Sequence, residues 1–170
     1  MRIATTIVLC GLASVLPAQA ADLKVEVQIP RLNVAEYHRP YVAIWVEGAN
    51  QTAVANLSVW YQQQATSEGA GTKWLPDLRQ WWRRSGRTLK VPVDGVTGPT
   101  RPAGKHALSF GESHPELRKL PAGDYTLVVE AAREVGGREL VRIPFKWRGV
   151  SSANAQGKTE LGRVSIATTR

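Results

Sequence analysis

The sequence predicts an all-β fold, an antiparallel immunoglobulin-like β-sandwich of about eight strands with one short helix. Three observations point there. Apolar residues alternate with polar ones at a period of two in stretch after stretch, which is the spacing of a half-buried strand. Ten prolines and fifteen glycines punctuate the 170 residues too densely for a helical bundle. A composition of 43% hydrophobic and 21% charged residues is that of an ordinary globular domain, which excludes a disordered or low-complexity chain.

Leu23, Val25, Val27 and Ile29 alternate with Lys24, Glu26 and Gln28 up to Pro30, a first strand. Residues 41–47 repeat the pattern, with Val42, Ile44 and Val46 on one face and Trp45 on the other. Residues 56–62 follow, placing Leu57, Val59 and Tyr61 together and Ser58 and Trp60 opposite. Further strands are predicted over 90–93, 106–110, 125–131, 140–147 and 162–168, the last pairing at a sheet edge, with residues 151–158 left as loop. Gly136-Gly137 can take the positive φ of a two-residue turn, so 125–147 reads as one long hairpin.

The exception is the segment 73–84, KWLPDLRQWWRR. Pro76 at a first helical position, Asp77 in the first turn, Arg83 and Arg84 in the last and Gly86 beyond predict a short helix aligned with its own dipole. Leu75, Leu78 and Trp82 share a face that can rest on the sandwich.

Residues 1–20 read as a cleaved leader. Arg2 precedes an uncharged apolar run, 3–16, and Ala18-Gln19-Ala20 is the small-x-small pattern of a signal-peptidase site. The run is too short to cross a bilayer core of about 30 Å. The mature chain, 21–170, is expected to be one domain, monomeric and without a transmembrane segment. Cys10, the only cysteine, leaves with the leader. A thiol-free exported domain can hold no disulfide, thiolate-ligated metal or cysteine nucleophile, and the expected location is the periplasm.

The formal charge is +8, from 22 basic and 14 acidic residues. Most of the surplus lies over 73–90, where six basic residues (Lys73, Arg79, Arg83, Arg84, Arg87, Lys90) face one acid, Asp77. Tryptophans among such cations suit nucleic acid in principle, but an exported protein does not meet that partner. They equally suit an anionic cofactor or partner, or a plain solvated face with the indoles in the core. His38, His106 and His114 stand far apart in sequence with no metal-ligand spacing. No nucleophile elbow, P-loop, zinc-protease helix or dinucleotide fingerprint occurs.

The segment 93–106, VDGVTGPTRPAGKH, carries the most chemistry. Its core, Asp94-Gly95-Val96-Thr97-Gly98-Pro99-Thr100, resembles the D-x-x-[S/T]-G-A-[T/S] sequence on which FMN is attached covalently in extracytoplasmic flavoproteins, such as the FMN-bearing subunits of the sodium-pumping NADH:quinone reductase. The resemblance carries over Asp94, Thr97 and Gly98 and makes Thr100 the acceptor hydroxyl for a flavin phosphate delivered from FAD by a periplasmic flavin transferase. It departs at Pro99, where that family usually has Ala. A glycine-containing turn can hold such a hydroxyl out. Arg101, Lys105 and Arg83 or Arg84 are candidates to neutralise the attached phosphate, and Trp81 or Trp82 to stack on the ring. The same residues also read as two consecutive β-turns.

Over nearly the whole mature chain, through residues 39–47, 73–84, 94–106 and 120–145, the sequence is similar to a family of predicted periplasmic bacterial proteins. That resemblance implies company with PepSY-type membrane proteins and flavin transferases, in settings of iron uptake and extracytoplasmic electron transfer. The expected function is a redox carrier more than an enzyme. A cofactor-free accessory module that docks a membrane protein through the Trp/Arg patch is the alternative, and a metal or haem binder using His38, His106 or His114 a third.

Overall fold

The computed structural model describes residues 21–67 and 69–170; the expected leader, with Cys10, lies outside the described residues. Among the described residues nine strands run in chain order as β1 (Asp22–Ile29), β2 (Tyr41–Glu47), β3 (Ala53–Tyr61), β4 (Thr97–Pro99), β5 (Gly104–Gly111), β6 (Gly123–Ala132), β7 (Arg138–Trp147), β8 (Ser151–Gln156) and β9 (Arg163–Thr168). They form a four-stranded sheet of order β5-β1-β9-β8 and a five-stranded sheet of order β4-β3-β2-β6-β7. The all-β sandwich with one short α-helix is thus the observed architecture. It is antiparallel except at one edge, where β4 runs parallel to β3. No helix among the described residues is long and apolar enough to cross a membrane.

The inner faces of the two sheets meet in a core that β1 supplies with Leu23, Val25, Val27 and Ile29, and that β2, β6, β7 and β9 complete with Ile44, Val129, Ile143 and Ile166. The period of two read from these strands is the period with which they are buried. The five-stranded sheet is also covered on its outer face. There Ala43, Trp45, Val59, Tyr61 and Val128 pack against Leu75, Leu78, Trp81 and Val96 of the 71–96 segment, making a second core. This third layer explains why β2 is buried from Val42 to Glu47 on both faces.

Four sequence expectations are corrected. Leu57 does not share a face with Val59 and Tyr61: a β-bulge opposite Ile44 and Trp45 leaves Leu57 unpaired, so Leu57 and Trp60 enter the sandwich core while Val59 and Tyr61 enter the outer one. Residues 90–93 form no strand, because Pro92 cannot donate to a ladder and Leu89, Val91 and Val93 pack instead as irregular chain on the outer core. Residues 151–156, read as loop, are β8, and it is β8 that forms the sheet edge while β9 lies inside. The hairpin turn spans residues 133–137. Its positive φ falls on Val135 at 52° and on neither glycine.

The predicted helix is divided. A 3-10 segment, Gly71–Asp77, contains Pro76, and a six-residue helix α1 (Arg79–Arg84) follows after Leu78, whose ψ of 67° is not helical. The break falls at Leu78, beyond Pro76, and the N–H groups of Gln80 and Trp81 that follow it donate to the buried Glu130 carboxylate instead of continuing a helix from the 3-10 turn. The phase resets at the break, and the inward indole is Trp81 rather than Trp82.

Candidate functional site

The 93–100 segment is built around Thr97. Its hydroxyl donates to Val93 O at 3.0 Å and accepts from Val93 N at 2.9 Å, closing a turn in which Gly95 has φ +73° and Asp94 stands exposed. Val96 plugs the outer core, and its carbonyl accepts from Val59 N at 2.8 Å. Thr97, Gly98 and Pro99 then lie beside Val59, Trp60 and Tyr61 as the edge strand β4. An edge position tolerates Pro99, which has no N–H to offer a further strand. Gly98 has open space where a Cβ would project.

Thr100 follows directly. Its side chain is partly exposed, and its hydroxyl has no hydrogen-bond partner among the described residues. It opens on a groove of about 630 Å³ walled by Tyr37, Tyr41 and Trp74, with Arg39 and His38 on the same lining. Tyr37 and Trp74 are 38% and 37% exposed. Tyr41 is held more firmly: its hydroxyl donates to Gly71 O at 3.0 Å and its ring meets Tyr61 edge-on at 6.4 Å. Burial raises the Tyr41 phenol above its usual pKa, so it stays a neutral donor. His38 sits between two carboxylates, 2.9 Å from Glu36 and 3.6 Å from Glu134. Lys73 Nζ lies 4.5 Å from the Trp74 ring.

The other residues singled out in the sequence divide. Arg101 stacks on the Trp60 ring at 4.2 Å, and burial lowers its pKa. Lys105 is exposed on β5, 3.9 Å from Glu26. Arg83 and Arg84 stand on α1 and bond the Gln80 and Gln51 amides; they are not among the residues lining the Thr100 groove. Trp81 is 0% exposed and donates to Asn56 Oδ1 at 2.9 Å, so the expectation that it stacks on a ring from outside is corrected: it is core. Trp82, 6.3 Å from Trp81 and half-buried, packs against the same outer core. The three histidines occupy separate surroundings. His106 bonds Pro102 O at 2.8 Å and meets Trp60 edge-on, while His114 packs against Phe110 with its Nε2 buried and without a partner among the described residues.

Sequence reasoning missed Tyr37, Arg39 and Tyr41 as groove residues. Tyr37 and Arg39 precede β2 and Tyr41 opens it, about sixty residues before Thr100, and only the pairing of β4 along β3 brings the two segments to one end of the sheet. Their one signal was an aromatic-basic run, YHRPY, in a segment with no strand period.

The family described as a predicted periplasmic protein (DUF2271) matches residues 22–163, from β1 to the start of β9. The chain belongs to the DUF2271 family. Its location is therefore the periplasm, as the sequence predicts. The DUF2271 match takes in the whole outer layer, β4 and the Thr100 groove. No curated protein and no solved structure matches the chain.

Proposed function

We propose that this DUF2271 protein is a periplasmic flavin carrier in which Thr100 Oγ1 is esterified to the phosphate of FMN. One observation carries the reading. The last hydroxyl of the motif-like segment is partly exposed, unpartnered among the described residues, and opens on a groove whose lining combines Tyr37, Tyr41 and Trp74 with Arg39 and the carboxylates of Glu36 and Glu134. The other threonine of the segment, Thr97, is occupied in closing the turn.

The residues present fit the group. A groove of about 630 Å³ is in the range that accommodates cofactors, which runs from about 300 to 1,000 Å³. Tyr37 and Trp74 offer part-exposed rings beside a planar group, and Arg39 a cation on a lining that also holds Glu36 and Glu134. Bound flavin would supply the two-electron and one-electron redox chemistry that no side chain here has. The chain's own part is to hold the ester outside the sandwich, flank the ring with aromatic walls and keep a cation nearby. The transferase and a membrane reductase are the partners this reading requires.

The test is export together with a periplasmic flavin transferase, followed by intact-mass measurement. The expected gain is the mass of FMN less one water, lost entirely in Thr100→Val while the circular dichroism spectrum is unchanged. Covalent flavin retained by Thr100→Val refutes the assignment.

A further inference from the structure

The outer layer presents a second feature that the flavin reading does not use. Arg79, Arg83, Arg84, Arg87 and Lys90 are all exposed. None makes an ion pair among the described residues. Arg83 and Arg84 bond only neutral amides, of Gln80 and Gln51. The carboxylate beneath the helix cannot compensate them: Glu130 is fully buried and taken up by the N–H groups of Gln80 and Trp81 and by Arg138. These cations stand on the outermost layer, over a segment whose Leu78 and Trp81 face inward.

From this we infer that the α1 face adsorbs electrostatically to an anionic phospholipid surface. A periplasmic protein has a lipid leaflet within reach, and an extended plane of phosphates complements a layer of uncompensated arginines. An acidic protein partner fits less well. Stable protein interfaces centre on a desolvated apolar or aromatic anchor. Yet the large exposed apolar residues of the described chain are Val34, Tyr37, Trp74, Val135 and Val150, none of them between 79 and 90. Within 79–90 the one part-exposed aromatic, Trp82, packs against the outer core, and charge without a fully exposed apolar anchor suits headgroups. The adsorption needs no flavin and holds whether or not Thr100 is modified.

The test is cosedimentation of the purified exported protein with vesicles of equal parts phosphatidylglycerol and phosphatidylethanolamine, and with vesicles of phosphatidylcholine alone. Binding is expected to the anionic vesicles only and to weaken steeply with salt. Each cation near an anionic surface strengthens partitioning by about fivefold, so Arg83→Gln, Arg84→Gln and Arg87→Gln together should weaken it about a hundredfold. The matching triple substitution by lysine keeps the charge and should keep binding. All three side chains are exposed, so both variants should unfold at the wild-type temperature, which a thermal melt checks. No binding to anionic vesicles, equal binding to phosphatidylcholine, or binding unchanged in the glutamine variant each overturns the inference. Binding to poly-glutamate without binding to vesicles overturns it in favour of an acidic protein partner.

Discussion

Two glycines show how differently a residue type can be used. A Cβ on Gly86 would lie 2.6 Å from the Trp81 ring, whereas one on Gly98 would meet open space. Gly86→Ala should therefore cost about 1–3 kcal/mol through overpacking of the outer core. Gly98→Ala should leave stability within about 0.5 kcal/mol. Urea denaturation of both variants checks the contrast. If Gly98→Ala folds normally yet loses flavin when the transferase is present, its glycine serves recognition by that enzyme rather than the fold.

Two titratable residues make stability depend on pH. His114 is held below its usual value of 6.5 by burial, with the nearby Glu116 charge acting the other way. The unfolded chain then takes up a proton before the folded one does, so stability falls as pH drops below about 6.5, until the folded value is passed. Burial alone would raise Glu139, but hydrogen bonds from the backbone of Leu161, Thr159 and Lys158 outweigh it and hold the carboxylate below its usual 4.5. Its contribution is present above that value and is lost as pH falls through the lower folded one. Chemical denaturation across pH 3–8 should show both losses, about pH 6.5 being the onset of the first. His114→Gln should flatten the upper one.

At the scale of elements, α1 depends on a residue that no local rule identifies. Its N-cap position, Leu78, has no side-chain acceptor, and the free N–H groups of Gln80 and Trp81 are satisfied by Glu130 from β6, fifty residues away in sequence. Glu130→Ala removes that cap and leaves buried donors unpaired, so a loss of about 3 kcal/mol is expected. Glu130→Gln keeps one acceptor and should cost less; the difference is read from urea midpoints. The strands were the legible part, because β1, β2, β6, β7 and β9 each carry an apolar period. β8 was not, since Ala153 and Ala155, the residues of SSANAQ that pack on the core, are too small to make a pattern. Nor could the bulge at Leu57 be read, for a one-residue slip leaves no mark in a strand apolar on both faces.

For the whole molecule, the decisive geometry is the three-layer arrangement. The 71–96 segment crosses the outer face of the five-stranded sheet and returns along β3 as β4, which sets Thr100 beside the residues that lead into β2. Thr100, the proposed acceptor, stands out in the sequence through a short motif; the residues of its groove do not, because they come from a distant segment whose position depends on a parallel pairing three residues long. The most direct measurement is fragmentation of the tryptic peptide 91–105 from protein exported with a flavin transferase, since this one peptide holds both Thr97 and Thr100. FMN should be found on Thr100. Its presence on Thr97, or an unmodified peptide from a cell whose transferase is active on another substrate, contradicts the account.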